Sequence, residues 1–284
     1  MTLDPESRRA LQRRIAEIQG WYHAIDLGSG IVTPGPFRMA DYVEDYRLPE
    51  DLSGARALDV GCGNGFFSLE LESRGADEVV AVDVPSWLAK DWSPAYAREW
   101  LATRTAEERN SIDQGSLRAA FELAVGTAGS GRIRREEASI YDLDPAKHGR
   151  FDFVLCASML MHVRDPLLAL HRLRAVCRHD GMLVVSISSP PDLDGGDRAP
   201  LARFVGRADQ CNFWQMSPAC LRAMLECSGF VPVGDGRRFV LTDQPVEAVQ
   251  AALREAPPDV DPTSVPGSGS FCDPHYVCHA RPHH

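Results

Sequence analysis

ALDVGCGNGFFSLEL, residues 57–71, is the stretch that decides the fold of this chain. An apolar run with one carboxylate, Asp59, leads directly into Gly61, Gly63 and Gly65, and a helical pattern follows. Glycine lets the backbone turn sharply and approach a ligand closely, and a helix N-terminus favours negative charge. A strand, a glycine turn and a helix in this order predict a ligand site at the carboxyl edge of an α/β sheet.

Short apolar runs alternate with helical patterns along the rest of the chain. They are RALDVG (56–61), EVVAVDV (78–84), GRIRREEASIYDL (131–143), FDFVLCA (151–157) and GMLVVSIS (181–188). This alternation indicates βαβ units and a mostly parallel sheet. An amphipathic helix at 217–230 and two further strands at 237–243 and 275–281 are predicted near the end, and a helical insertion at about 88–130.

The N-terminal region has a separate character. Asp4-Pro5 is a typical helix start, and Leu11, Ile15 and Ile18 then share one helical face. WYHAIDLGSGIVTPGPF (21–37) is aromatic and then rich in Gly and Pro, so it reads as a structured lid. We therefore expect an N-terminal helix and lid over 1–50 and the main domain over 51–284, with the helix available to form a homo-oligomer.

Composition narrows the class of partner. The chain has 284 residues, a net charge of −10, no long apolar run and eight cysteines without a CxxC pair. An acidic chain is a poor partner for a polyanion, and the cysteine spacing does not suit a zinc site. We expect a cytoplasmic protein with reduced thiols, no metal, no membrane segment and no nucleic-acid partner.

Two carboxylates identify the ligand of the glycine turn. Asp83 ends the second predicted strand, 22 residues after Gly61, where a carboxylate can accept ribose hydroxyls. NAD, FAD and S-adenosylmethionine all fit this arrangement, but dinucleotide sites need G-x-G-x-x-G and this spacing is G-x-G-x-G. Asp59 would repel a pyrophosphate and can instead orient a methionine ammonium. LDVGCGNG resembles the first motif of class I S-adenosylmethionine-dependent methyltransferases.

That resemblance implies a Rossmann-like fold: α/β, with a seven-stranded mostly parallel sheet, helices on both faces, an N-terminal helical lid and a helical insertion. It implies S-adenosyl-L-methionine as cofactor. The cofactor-binding residues would be Asp59, Gly61, Gly63, Asp83, Ser139, Ile140, Cys156 and Trp21. Met161 and His162, in SMLMHVRDP after the fourth strand, would face the substrate pocket.

Two further stretches, WYHAIDLGSGIVTPG and NFWQMSPACLRAMLECSGF, resemble the family around bacterial tRNA wobble-uridine carboxymethyltransferase and its natural-product members. The tRNA-modifying members have Tyr-His where this chain has Met161-His162, and a lysine where it has Pro34. We therefore expect unmodified S-adenosylmethionine and a small, aromatic or apolar acceptor. Methylation of a tRNA wobble uridine and non-catalytic cofactor binding remain the alternatives.

Several side chains are candidates for the chemistry. His162 is the first choice as general base, and His23, Tyr22 and Asp26 in the lid follow. Trp214 and Asn212 would contact the acceptor, and an aromatic face can stabilise a positive methyl group. Each also has an ordinary structural explanation, such as a packed histidine, a turn-forming Asp or core packing. The sequence leaves O-, N- and C-methylation open.

Overall fold

A computed structural model describes residues 3–18, 20–109, 118–193, 199–206, 212–244, 249 and 272–283. Its strands are β1 (Arg56–Val60), β2 (Glu78–Asp83), β3 (Ile133–Glu137), β4 (Phe151–Cys156), β5 (Cys177–Ser188), β6 (Ala202–Phe204), β7 (Trp214–Met216), β8 (Phe230–Thr242) and β9 (Cys272–Pro282). Seven of them form one sheet in the order β3-β2-β1-β4-β5-β9-β8, and β6 pairs with β7 separately. The predicted seven-stranded sheet is confirmed.

The sheet is parallel over its first five strands. β1 lies between β2 and β4, and β4 pairs in parallel with β5. β9 is antiparallel to both β5 and β8. Because the order of connection reverses between β1 and β4, the carboxyl ends of these two strands border the crevice where open α/β sheets bind ligands.

The helices are α1 (Pro5–Glu17), α2 (Val43–Tyr46), α3 (Phe66–Ser73), α4 (Pro94–Thr103), α5 (Arg118–Ala128), α6 (Pro145–His148), α7 (Pro166–Val176) and α8 (Pro218–Cys227). Five of them start with an Asp or Ser whose side chain accepts backbone N–H groups, followed by proline: Asp4, Ser93, Asp144, Asp165 and Ser217. Such caps satisfy N–H groups that have no partner within the helix. The predicted insertion contains α4 and α5, and residues 110–117 lie outside the described chain.

Side chains alternate between two apolar cores, one on each face of the sheet. Val60 and Cys156 pack with α7 and α8, whereas Ala57 and Leu155 pack with the N-terminal region and α3. Leu11 of α1 is buried in the second core. The apolar face of α1, which we expected to be available to a partner copy, is therefore covered by the chain itself.

Strand limits differ from the prediction at the antiparallel edge. β8 begins at Phe230 rather than at 237, although Pro232, Gly234 and Gly236 interrupt its pattern. The pairing shifts register between Val233 and Arg237, and a proline is tolerated because β8 is an edge strand. Gly234 and Gly236 therefore lie in a β-bulge within the strand. From the sequence alone, such a bulge looks the same as a loop between two strands.

The part of the chain that the structure describes contains no helix long and apolar enough to cross a membrane. It also contains no group of three or more metal-ligating side chains. The described cysteine side chains are free thiols, and those of Cys62, Cys156, Cys177, Cys220 and Cys278 are buried.

Candidate active site

A cavity of about 1010 Å³ runs along the carboxyl edge of the sheet. Its walls come from the glycine turn after β1, the ends of β2, β3 and β4, the N-terminal segment 20–46, the insertion and the β8–β9 edge. The predicted site residues on its walls are Tyr22, His23, Gly61, Gly63, Asp83, Ser139, Ile140, Met161, His162 and Asn212. Residues far apart in sequence therefore meet at one site.

The glycine turn is built from left-handed backbone. Gly61, Gly63 and Gly65 have φ angles of 77°, 52° and 89°, which side-chain-bearing residues rarely adopt. A Cβ at Gly61 would lie 2.4 Å from the Met159 side chain, so a larger residue there would be both strained and crowded. The turn leads into α3, whose N-terminus is oriented toward the same edge of the sheet.

The Asp83 carboxylate accepts hydrogen bonds from the glycine turn and still has acceptor positions for a ligand. One of its oxygens accepts the backbone N–H of Gly63 at 2.9 Å, and the other accepts that of Val84 at 2.8 Å. A carboxylate offers about four acceptor positions. About two acceptor positions therefore remain, which suits the two hydroxyls of a ribose. Burial raises the pKa of Asp83, and the two backbone hydrogen bonds oppose that rise.

Asp59 lies behind the turn instead of on the cavity wall. It is 1% exposed, and the Ser68 hydroxyl donates to its carboxylate at 2.6 Å. Burial, opposed by that hydrogen bond and reinforced by the charge of Asp83, raises the pKa of Asp59 to about 7. The residue predicted to orient an ammonium therefore acts on the cavity through its charge and through the turn it supports.

Replacing Asp59 by Asn should stabilise the cofactor-free protein in a pH-dependent way. A raised folded-state pKa means that the wild type loses stability as pH rises from the unfolded value to about 7. The advantage of Asp59→Asn should grow by about 2 kcal/mol between pH 5 and 7 and then level off. Thermal unfolding from pH 5 to 8 measures it. Asp142→Asn, an exposed carboxylate, is the control, and a pH-independent advantage would contradict the assignment.

The far end of the cavity is closed by an ionic network after β3. Tyr141 donates its hydroxyl proton to Asp91 at 2.9 Å and accepts the backbone N–H of Asp165 at 2.9 Å. Asp91 also accepts the backbone N–H of Arg164 and forms an ion pair with its guanidinium. The network joins the insertion to the loops after β3 and β4, beside Ser139 and Ile140.

The lid is fastened to the glycine turn by Asn64. Its side-chain oxygen accepts the backbone N–H groups of both Tyr22 and His23, and Asn64 is fully buried. Within the lid, Ala24 donates to the carbonyl of Phe37 at 2.8 Å. A Cβ at Gly35 would meet the His23 backbone at 2.3 Å, so the lid closes only over a glycine.

The lid candidates have limited capacity as bases. Burial lowers the pKa of His23 to about 3, and its ring lies beside Gly63, so a neutral imidazole packs against the cofactor turn. Burial, with smaller contributions from Tyr46 and Asp273, raises the pKa of Tyr22, which favours its phenol form. Asp26 accepts the N–H of Gly28 at 2.8 Å in a turn outside the cavity lining.

Three predicted contacts lie behind the cavity wall. The side chain of Cys156 points into the core beneath the sheet because strand residues alternate faces, and Ala157 lines the cavity in its place. Trp21 is buried and donates its indole N–H to the carbonyl of Ile15. Trp214 donates to the carbonyl of Arg164. These three support the site from behind, while His162 and Met161 line it on the turn Leu160–His162.

Polar residues that the sequence did not indicate occupy the opposite end. Ser158 has a φ of 54° and donates its backbone N–H to the Ser186 hydroxyl at 2.8 Å, and the Tyr46 hydroxyl lies 3.2 Å from the same oxygen. Asp273 and His275 complete this end from β9. No distinctive sequence signal marked these residues, because the left-handed φ of Ser158 is visible only in the structure and an Asp-Pro-His triplet at 273–275 is not specific to a site.

Comparison with known proteins agrees with the family resemblance seen in the sequence. The methyltransferase domain family matches residues 37–233. A tRNA U34 carboxymethyltransferase of Azotobacter vinelandii is 28% identical over 265 residues, covering 92% of this chain and 72% of that protein. A ubiquinone biosynthesis O-methyltransferase of Neisseria meningitidis is 29% identical over 151 residues, covering 53% of this chain, and the alignment spans only 50% of that relative's length.

Solved structures share the fold. The N-terminal domain of EvdMO1, crystallised with SAH and D-fucose, superposes with a TM-score of 0.56 at 20% identity and covers 99% of this chain and 98% of that one. The Burkholderia thailandensis 1,6-didemethyltoxoflavin-N1-methyltransferase gives a TM-score of 0.50 at 20% identity, covering 100% and 92%. At these identities the similarity establishes the architecture.

Proposed function

This chain belongs to the methyltransferase domain family, whose members use S-adenosylmethionine, and on that premise we propose that it methylates a small, largely apolar acceptor. Ligand pockets typically occupy roughly 300–1,000 Å³. The cavity of about 1010 Å³ is at the upper end of that range, which leaves room for the cofactor and a second small molecule.

The observation that carries the proposal is the construction of the acceptor end. Phe37 and Met39 from the lid, Phe67 from α3 and Leu241 from β8 give it apolar walls, and Ser158, Asp273 and His275 add a few polar groups. Apolar walls with a small number of placed polar groups are typical of small-molecule sites. The N-terminal segment covers this end, which favours an acceptor that fits inside over a macromolecule.

The residues of the chain hold and orient the reactants. Asp83 would accept the ribose hydroxyls, Gly61 and Gly63 would leave room for the methionine portion, and Ser139 and Ile140 would border the base. The bound cofactor supplies a methyl group on a positive sulfonium. Alignment of two bound reactants can contribute roughly 7–11 kcal/mol to the rate. Tyr22 and Phe37, with ring centroids 4.6 Å apart, place aromatic surface beside the cavity.

Methylation of a tRNA wobble uridine is the second candidate. The alignment with the Azotobacter vinelandii tRNA enzyme over 92% of this chain favours it. Charge disfavours it, because the chain carries a net charge of −10 and the cavity-lining Arg164 is paired with Asp91. Phosphate contacts by unpaired cations dominate nucleic-acid affinity. Pro34, at the position of the lysine in tRNA-modifying members, lies exposed on the lid.

A labelled-transfer assay distinguishes the candidates. Purified protein and methyl-labelled S-adenosylmethionine are incubated with bulk tRNA in one sample and with an organic extract of the encoding organism in another. We expect label only in the organic phase, where mass spectrometry identifies the methylated product. The Asp83→Asn variant is the matched blank.

Label only in acid-precipitable RNA would show that the protein methylates tRNA and would contradict the proposal of a small-molecule acceptor. Cofactor binding in calorimetry without transfer to either sample would favour the non-catalytic alternative. Each outcome is separable from misfolding because the same preparation is first tested for cofactor binding.

A further inference from the structure

Two histidines of the cavity wall have a buried ring nitrogen without a hydrogen-bond partner within the described ranges, Nδ1 of His23 and Nε2 of His275, and His275 is the one with an aspartate carboxylate close to its other nitrogen. It is 1% exposed, it lines the cavity, and within the described ranges its Nε2 has no hydrogen-bond partner. Its other nitrogen, Nδ1, lies 3.0 Å from the carbonyl oxygen of Asp273 and 3.6 Å from that residue's carboxylate. Buried polar atoms without partners are rare in folded proteins and often mark a ligand or catalytic site.

The surroundings of His275 fix its ring. The imidazole stacks on Phe239 with centroids 5.3 Å apart and an interplanar angle of 28°. Asp273 is itself held, because the Ser188 hydroxyl donates to its carboxylate at 2.6 Å. A histidine whose Nδ1–H is held by a carbonyl and a carboxylate presents Nε2 as a proton acceptor. This is the arrangement expected of an oriented general base.

We propose that His275 is the general base for an acceptor hydroxyl of the phenol type, with Asp273 as its positioning residue. The inference rests on the proposed function and adds the class of the methylated atom. The acceptor O–H bond breaks, its proton forms a bond to Nε2 of His275, and the oxygen keeps the electron pair with which it attacks the methyl carbon. The imidazolium then releases the proton to solvent.

His162, on the turn after β4, also lines the cavity and is the competing candidate for the base, whereas four other titratable groups suit the task less well. His23 is beside the cofactor turn and its pKa is lowered to about 3. The carboxylate of Asp91 is occupied by Tyr141 and Arg164. Tyr22 and Tyr46, which reach the cavity from the N-terminal segment, have raised pKa values, which favour their phenol forms. The Asp273 carboxylate lies 3.6 Å from Nδ1 of His275 and is the acidic partner of that histidine among the described residues.

A phenol that reports its own ionisation tests the proposal without turnover. 4-Nitrophenol is added to protein saturated with S-adenosylhomocysteine at a pH where free 4-nitrophenol is mostly neutral. We expect a visible phenolate band with the wild type and loss of that band with His275→Gln. The control is His179→Gln, because His179 lies 3.6 Å from Asp180 in an exposed pair away from the cavity. An unchanged band in His275→Gln, or none in the wild type, overturns the proposal.

Kinetics with the acceptor identified in the transfer assay provide the second test. His275→Gln should lower kcat by about 10²–10⁴-fold while cofactor affinity in calorimetry stays at the wild-type value. Asp273→Asn should lower kcat less and move the acidic limb of the pH profile to lower pH, because the imidazolium loses a stabilising charge. A purely structural role would leave that limb in place.

The two levels of failure are distinguishable. If the wild type transfers no methyl group to any acceptor, the proposed function fails, and 4-nitrophenol still reports whether His275 accepts a proton. If the wild type is active and His275→Gln keeps most of its kcat, only the base assignment fails. Methylation of nitrogen or carbon in the product also contradicts it.

Discussion

Asp83→Asn is expected to weaken S-adenosylmethionine binding by about 10²–10⁴-fold, since two charge-assisted hydrogen bonds of about 1.5–3 kcal/mol each are lost or reduced. The carboxylate already serves the N–H groups of Gly63 and Val84 and has about two acceptor positions left. An amide has one acceptor oxygen and presents N–H donors in place of the other. It cannot hold the turn and both ribose hydroxyls together.

Calorimetric titration with S-adenosylmethionine measures the effect. Glu137→Gln is the matched control, because Glu137 is the register partner of Asp83 on β3, is itself exposed, and pairs with Arg118 and Arg135. We expect the control to bind like the wild type. Wild-type affinity in Asp83→Asn would remove Asp83 from the cofactor site and leave it a purely structural role at the glycine turn.

Gly35→Ala is expected to reduce turnover by more than about 100-fold, which corresponds to roughly 3 kcal/mol of lost transition-state stabilisation. The added Cβ would lie 2.3 Å from the carbonyl carbon and oxygen of His23, and backbone atoms cannot rotate away as a flexible side chain can. The bridge between His23 and Phe37 must then open, and Tyr22 moves with it.

The same variant should lower the melting temperature by roughly 2–5 °C, from about 1–3 kcal/mol of overpacking. Thermal unfolding and steady-state kinetics measure the two effects. Gly131→Ala is the control, because a Cβ there meets nothing within 4 Å and its φ is outside the left-handed region. Wild-type turnover in Gly35→Ala would show that lid geometry does not matter for transfer.

The fold and the positions of Gly61, Gly63 and Asp83 on the cavity wall followed from the sequence because they depend on local patterns. A strand, three glycines and a helix specify the turn, and Asp83 ends the next strand of a parallel sheet. Parallel strands place their carboxyl ends at one edge, so residues predicted separately had to meet there.

The acceptor half was less predictable because it depends on contacts between distant parts of the chain. His275 reaches the cavity from β9, beside β5, and nothing in HYVCHAR distinguishes it from a packed strand histidine. The alternation of strand faces sends Cys156 to the core and leaves Ala157 at the cavity. Resemblance to a family shows which segments form strands, but it does not show on which face of the sheet each side chain lies.

Asn64 has a consequence for protein engineering. Its one side-chain oxygen accepts the N–H groups of Tyr22 and His23, so the segment that lines the cavity is fitted to a residue within the glycine-rich motif. An exchange of acceptor specificity between relatives by grafting residues 20–46 would separate those partners. In a functional chimera, the residue at position 64 and the grafted segment must therefore come from the same parent protein.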